Sequence, residues 1–195
     1  MNRTATRGTV RTASRAAALG LAVVVGLVAI QACRSVPLPA PYSDAEHGAD
    51  GDLPVGVTVF DDEYAGVGNL DPELIGALRD AADAAAEQGI EFHVNSGWRS
   101  PEYQDQLLRE AVAEYGSNAA AARWVATPET SAHVSGDAVD IGPADAAAWL
   151  ARHGAGHGLC QIYTNEPWHF ELRPDAVGYR CPHMYADPTR DPRMQ

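Results

Sequence analysis

The 195-residue chain contains no lysine, and all 14 of its basic residues are arginines. Four of them, Arg3, Arg7, Arg11 and Arg15, lie within the first 32 residues, which hold no acid, so beyond residue 32 ten arginines face 26 acids, a balance of −16. A surface of that sign repels phosphate backbones and argues against nucleic acid as a partner. Cysteine is scarce, at three residues. No internal repeat is visible, and strands do not alternate with helices as in a βαβ array. Long apolar runs are confined to Ala16–Ala32, 17 residues at the short end of a membrane span. With 46% apolar and 21% charged residues, the chain has enough core-forming material to argue against global disorder. Its length suits one domain plus attachments.

What is present begins with an export pattern. Residues 1–33 join a basic start to the apolar run and end in Ile30-Gln31-Ala32-Cys33. That ending resembles a bacterial lipobox, with Gln31 standing where a small or aliphatic residue is usual. Cys33 is then lipidated after removal of the preceding segment, or the segment stays as an uncleaved anchor, or the product is secreted and soluble. All three readings place the domain outside the cytoplasm, in the cell envelope, with membrane contact only through the N-terminal anchor. If Cys33 carries lipid or is lost, Cys160 and Cys181 remain as an even pair in an oxidising compartment. A disulfide between them is expected, two unpaired buried thiols being the alternative. Residues 34–52, with Pro37, Pro39 and Pro41, read as a semi-rigid linker, and residues 53–195 as the folded domain.

Within the domain, residues 55–60 suit an early strand. Asp71-Pro72 pairs an N-cap with proline at the first helical position, and Leu74, Leu78, Ala81 and Ala85 carry a helix to about Gln88. Residues 90–95 alternate as a half-buried strand, leaving His93 beside Glu91 on the polar face as a solvated or supporting histidine. Ser100-Pro101 repeats the helix-start signal. The apolar stripe that follows is Tyr103, Leu107, Leu108, Ala111, Val112 and Tyr115. A short Ala-rich helix over 118–125, a buried strand over 138–141 and a helix over 143–152 come next. Gly154 and Gly156 keep His153 and His157 from forming a helical metal clip. Residues 159–163 and 168–172 read as a hairpin, and the chain beyond Arg173 as an irregular surface wrap. The pattern predicts an α+β domain with a small antiparallel β-sheet and flanking helices.

Two short stretches carry chemistry. The segment Ser131-Ala132-His133-Val134-Ser135-Gly136-Asp137-Ala138-Val139-Asp140 sets an imidazole and a carboxylate seven residues apart. Zinc accepts both donor types, and a catalytic zinc needs three protein ligands and an open position. His169 would complete the set from a strand whose Trp168, Phe170 and Leu172 face the other way. Glu166, held extended by Pro167, would project beside the metal as the general base. Each half alone is weak, because chance His–Asp pairs are common in an acidic chain with seven histidines. Glu171 shares a strand face with His169 and either orients it or is solvated. Trp98 and Trp168 line a cleft or belong to the core.

Together these residues resemble the bacterial zinc D-alanyl-D-alanine carboxypeptidases of the VanY and VanX type. The pattern Ser-x-His-x-x-Gly-x-Ala-x-Asp is met at Ser131, His133, Gly136, Ala138 and Asp140, and Glu-x-Trp-His at Glu166, Trp168 and His169. Ser96-Gly97-Trp98-Arg99-Ser100 meets a third signature, and the likeness spans residues 89–172 in order. The resemblance implies one zinc ion on the sheet, with His133, Asp140 and His169 as ligands and Glu166 as the base. It implies that Arg99, Gln104 and Ser131 hold the substrate's terminal carboxylate or the developing oxyanion. The implied activity is D,D-carboxypeptidase release of D-alanine from peptidoglycan stem peptides. An L,D-carboxypeptidase, a D,D-dipeptidase or a non-catalytic zinc-containing envelope module would use the same ligands.

Overall fold

Asp71 opens one of the two longest helices as its sequence requires, accepting hydrogen bonds from the backbone N–H of Glu73 and Leu74 at 2.8 and 3.2 Å. A computed structural model describes residues 48–194, so residues 1–33, Cys33 and most of the 34–52 linker lie outside the described residues. The helices are α1 (Ala65–Gly68), α2 (Pro72–Ala86), α3 (Pro101–Tyr115), α4 (Asn118–Ala121), α5 (Ala132–Ser135) and α6 (Ala144–His153). The strands are β1 (His93–Ser96), β2 (Ala138–Gly142), β3 (Leu159–Gln161) and β4 (His169–Leu172). They form one antiparallel sheet in the order β1-β2-β4-β3. No helix among the described residues is long and apolar enough to cross a membrane.

One sheet face presents Val139, Ile141 and Phe170 to Leu74, Leu78, Trp149 and Leu150 of α2 and α6, all buried in one apolar cluster. Each such side chain contributes about 1.5–3 kcal/mol through burial. Period-two alternation then sends Asp140, His169 and Glu171 to the opposite face. The register sharpens this, because Asp140 stands directly opposite His169 across β2 and β4. The sheet thus has a structural side and a chemical side, both set by alternation.

Both outer strands are accompanied. On the β1 side, Val94 N–H donates to Val57 C=O at 2.8 Å and Thr58 bridges His93. On the β3 side, Tyr185 exchanges bonds of 2.9 Å with Ile162 and Thr164, and Cys181 is disulfide-linked to Cys160 with Cα atoms 5.5 Å apart. The expected disulfide is therefore present.

Several elements differ from the sequence reading. Residues 55–60 form turns with one isolated bridge, because the Asp61 carboxylate takes the Thr58 N–H and hydroxyl, both at 2.7 Å, and folds the segment back. The chain packs ahead of Leu53: Asp50 C=O accepts from Ser100 N–H at 2.9 Å, and Gly51 is buried against Trp98. The strand expected over 90–95 begins at His93, and the Ala-rich helix stops at Ala121. Only Gln104 and Ala111 of α3 are buried. Leu107, Ala111 and Tyr115 of its apolar stripe line a cleft, where Tyr115 stays 41% exposed.

Candidate metal centre

His133 reaches the site from α5, a single turn placed between Ser131 and Gly136. The chain leaves that turn through Gly136 at φ +81°, and a Cβ there would lie 2.7 Å from the Asn69 carbonyl oxygen. Gly136 C=O in turn accepts from Asp71 N–H at 2.9 Å, tying the turn to the start of α2. The 97–99 turn grips α5 from the other side. His133 Nδ1 lies 2.8 Å from Gly97 C=O, and His133 C=O accepts from Arg99 N–H at 3.1 Å. Gly97 is as close-packed, since a Cβ would sit 1.9 Å from Gly66 C=O. With Nδ1 donating to a carbonyl, the Nε2 lone pair is directed into the site.

His169 is presented the other way round. Its Nε2 lies 3.3 Å from Glu171 Oε1, leaving Nδ1 toward Asp140 Oδ1 at 3.2 Å. His133 Nε2 lies 3.2 Å from that Nδ1 and 3.5 Å from Asp140 Oδ1. Among the described residues, these three side chains form a group able to hold a metal ion, and all three are buried. Zinc bonds of about 2.0–2.1 Å at tetrahedral angles separate ligand atoms by about 3.3 Å. Edges of 3.2, 3.2 and 3.5 Å between two imidazole nitrogens and one carboxylate oxygen fit that ion.

At Asp140 and His133 the electrostatics agree with the donor chemistry, whereas His169 must release a proton for a metal to bind. Burial works against charge on Asp140, but His133 and His169 outweigh it and hold the carboxyl well below the usual range. Burial, reinforced by Arg99, lowers His133 and keeps it neutral as a ligand requires. Burial also opposes charge on His169, yet hydrogen bonds to Asp140 and Glu171 prevail and raise it to about 9. Glu166 is different. Burial raises it to about 7 against the pull of His169, and its Oε1 has no hydrogen-bond partner among the described residues. Its Oε2 stands 4.0 Å from His169 Nδ1. A buried carboxylate with an open oxygen, titrating near neutrality beside a metal-ligand cluster, suits proton transfer.

Arg99 lies on the floor of the same cleft. Its Nε donates to Ser96 Oγ at 2.7 Å, one terminal nitrogen to Gln104 Oε1 at 3.1 Å, and the other to Asp140 Oδ2 at 3.1 Å. Gln104 is nearly inaccessible, and its Nε2 donates to Ala126 C=O at 2.8 Å. Ser131 is buried at the cleft edge. The cleft has a volume of 440 Å³, and Trp168, Tyr115 and Trp124 form its outer wall, the last two stacked 6.0 Å apart. Every site residue expected from the sequence therefore borders or faces this cleft, apart from the Cys160–Cys181 disulfide and Cys33, which lies outside the described residues. Trp98 packs partly buried against the core instead, and His93 pairs with Glu91 at 3.5 Å. His153 packs on Trp149 with ring centres 4.6 Å apart.

Sequence reasoning missed Tyr163 and Arg193. The Tyr163 ring packs 5.1 Å from that of His169, and Arg193 donates to Glu171. Tyr163 sits in an apolar strand pattern that reads as core. Arg193 lies in a tail with no periodicity, and only the strong local acid–base pairing in Asp191-Pro192-Arg193 could have drawn attention to it.

Comparison with known proteins places this geometry. The family model for VanY, D-alanyl-D-alanine carboxypeptidase, matches residues 68–175. A D-alanyl-D-alanine carboxypeptidase of Enterococcus faecalis is 32% identical over 126 residues, covering 52% of this chain and 47% of that protein. The chain thus spans about half the length of that curated relative. Among solved structures, a mutant of the vancomycin resistance D,D-pentapeptidase VanY in complex with Zn(II) shares 33% identity at a TM-score of 0.50. That match covers 53% of this chain and 72% of the other. VanYB in complex with D-alanine-D-alanine shares 30% identity at a TM-score of 0.52, over 56% and 75% of the two chains. With more than half of its length matched by the family model, the chain belongs to the VanY family of D-alanyl-D-alanine carboxypeptidases.

Proposed function

We propose that this protein is a zinc peptidase of the cell envelope that removes the C-terminal D-alanine from peptidoglycan stem peptides. One observation carries the reading: His133 Nε2, His169 Nδ1 and Asp140 Oδ1 converge in the same cleft as the unpartnered Glu166 Oε1. The zinc complex of the VanY relative and the D-alanine-D-alanine complex of VanYB support it. Zinc held by His133, Asp140 and His169 would supply Lewis acidity to the scissile carbonyl and to the attacking water.

The protein's own groups do the rest. Glu166 takes a proton from the water as its oxygen bonds to the carbonyl carbon, and returns that proton to the nitrogen of the departing D-alanine as the C–N bond breaks. Its burial keeps the proton affinity near neutrality, which serves both transfers. Arg99 uses three of its five N–H donors on Ser96, Gln104 and Asp140. Its remaining pair, one on each terminal nitrogen, suits the substrate's terminal carboxylate. Gln104 fixes the guanidinium from below, and Ser131 offers a hydroxyl at the cleft edge. Export through residues 1–33, with Cys33 as the anchoring residue and residues 34–52 as the tether, belongs to the same proposal. A disulfide suits that oxidising location.

Incubation of the purified protein with pentapeptide, tetrapeptide and D-alanyl-D-alanine, with products identified by mass, tests the reading. Release of one D-alanine from the pentapeptide is expected, and no release from any substrate sinks it. Metal analysis adds a second test: Glu166→Ala should retain zinc and His133→Ala should lose it.

A further inference from the structure

Besides its fellow donors His133 and Asp140, the His169 ring meets Glu171 and Tyr163, and both of these lead to the same short stretch near the end of the described chain. Its Nε2 faces Glu171 Oε1 at 3.3 Å, and its ring packs against Tyr163 at 5.1 Å. Glu171 is 1% exposed and would be a buried carboxylate with His169 as its single partner were it not for two guanidinium groups. Arg193 spans both oxygens, donating to Oε2 at 2.6 Å and to Oε1 at 3.2 Å, while Arg173 donates to Oε2. Tyr163 is fixed at its far end, where its hydroxyl donates to Asp191 Oδ2 at 3.0 Å. Asp191 is fully buried and receives the Arg193 backbone N–H at 2.9 Å and Nε at 3.0 Å. One terminal nitrogen of Arg193 also donates to Asp191 Oδ2.

We propose that Arg193, backed by Asp191, is a positioning residue for the metal centre: its guanidinium clamps Glu171 so that Glu171 fixes the His169 ring with Nδ1 toward the ion. The inference rests on the zinc reading above, and it concerns residues outside the span matched by the family model, which ends at 175. The physical argument is one of rigidity. A ligating imidazole keeps its affinity only if its second nitrogen is held, and the holder must itself be held. Here the holder lies on the same strand face as its ligand, two residues on, and cannot be fixed by β4 alone. The 191–193 turn supplies a rigid bidentate counterpart from another part of the chain. Arg173 cannot substitute, because it reaches only Oε2, the oxygen turned away from His169.

The test is zinc affinity, read by competition with a chromophoric chelator on the full chain. Arg193→Ala is expected to weaken zinc binding about 10- to 100-fold. The exposed Arg190→Ala in the neighbouring turn should leave it unchanged. In a Glu171→Gln background the Arg193→Ala effect should largely vanish, because the clamp acts through that carboxylate. A merely structural role would give the same loss in both backgrounds and would overturn the proposal. So would folded Arg193→Ala protein with zinc affinity within twofold of the parent. Should Arg193→Ala fail to fold, Arg193→Lys keeps the charge but loses the fork. It is expected to bind zinc several-fold more weakly, and unaltered affinity there overturns the proposal equally. A parent protein that binds no zinc, or whose binding survives His133→Ala, would instead refute the zinc reading itself.

Discussion

Glu166 gathers the opposing demands of the site into one side chain. Its carboxyl is raised to about 7 by burial, against an unfolded value of about 4.3, so in metal-free protein its ionisation costs folding free energy as pH rises through 7. Stability from this group is therefore present below about pH 4.5 and lost above about pH 7. Glu166→Gln is expected to abolish D-alanine release by about 10²–10⁴-fold. The same variant, stripped of metal by a chelator, should melt several degrees higher than the parent at pH 8. Because the parent's carboxyl is neutral at pH 5, that advantage should shrink there. Calorimetry at the two pH values checks the sign. Equal melting temperatures at pH 8 would show that burial of Glu166 carries no such penalty. His133, Asp140, His169 and Glu166 stood out as candidates by residue type and spacing, and the family resemblance joined them into one ligand set with its base. The buried state of Gln104 was not legible, since one glutamine in an amphipathic stripe carries no sign of what lies above it.

At the scale of elements, the legible parts were those governed by a local rule. The Asp71-Pro72 and Ser100-Pro101 starts, the α2 stripe and the alternation in β2 and β4 are all written within a few residues. The α5 turn was not, because four residues have no period to display. What forms it is a tertiary fit, with Gly136 at positive φ pressed against Asn69. Gly136→Ala is accordingly expected to cost about 1–3 kcal/mol. It should also weaken zinc binding, because the new Cβ must displace the Asn69 carbonyl or the turn that carries His133. Urea unfolding and metal titration together check this, and a stability unchanged from the parent would remove Gly136 from the account. The α3 stripe left its partner unspecified for a related reason. Apolar periodicity reports a face that avoids water, and the wall of an apolar cleft satisfies that as well as a core does.

For the molecule as a whole, the carboxylates that organise the site and its support set the response to acid. Burial opposes charge on Asp140, Glu171 and Asp191, but imidazole and guanidinium partners outweigh it and hold all three below their ordinary values. Such groups contribute stability above their unfolded values near 4, and that contribution is lost as pH falls through the lower folded values. The metal-free protein should therefore gain stability from pH 8 to about 5 as Glu166 protonates, then lose it steeply below about pH 4. Urea midpoints across that range would show the maximum. Reduction is the second lever. Cys160 and Cys181 are 21 residues apart, a loop worth about 3 kcal/mol in the chain-entropy model, so a thiol reductant should lower the urea midpoint. The tail was the least legible region. Its residues obey no periodicity, and their places are set by distant partners, 22 residues away in Arg193–Glu171 and 64 in Arg123–Asp187.

The accompanied edges of the sheet bear on how a substrate can be read. Val57 C=O takes the Val94 N–H on the β1 flank, and Tyr185 bonds Ile162 and Thr164 just beyond β3, so segments of the chain stand beside both outer strands. An incoming peptide that paired with either edge would have to fit beside these segments. In the proposed reaction, recognition would rest on side chains in the cleft, which can grip a terminus and its first residues without requiring the handedness of a β-strand. A cleft of that kind can accept D-residues, whose backbone would not sit in register against a ladder of L-residues.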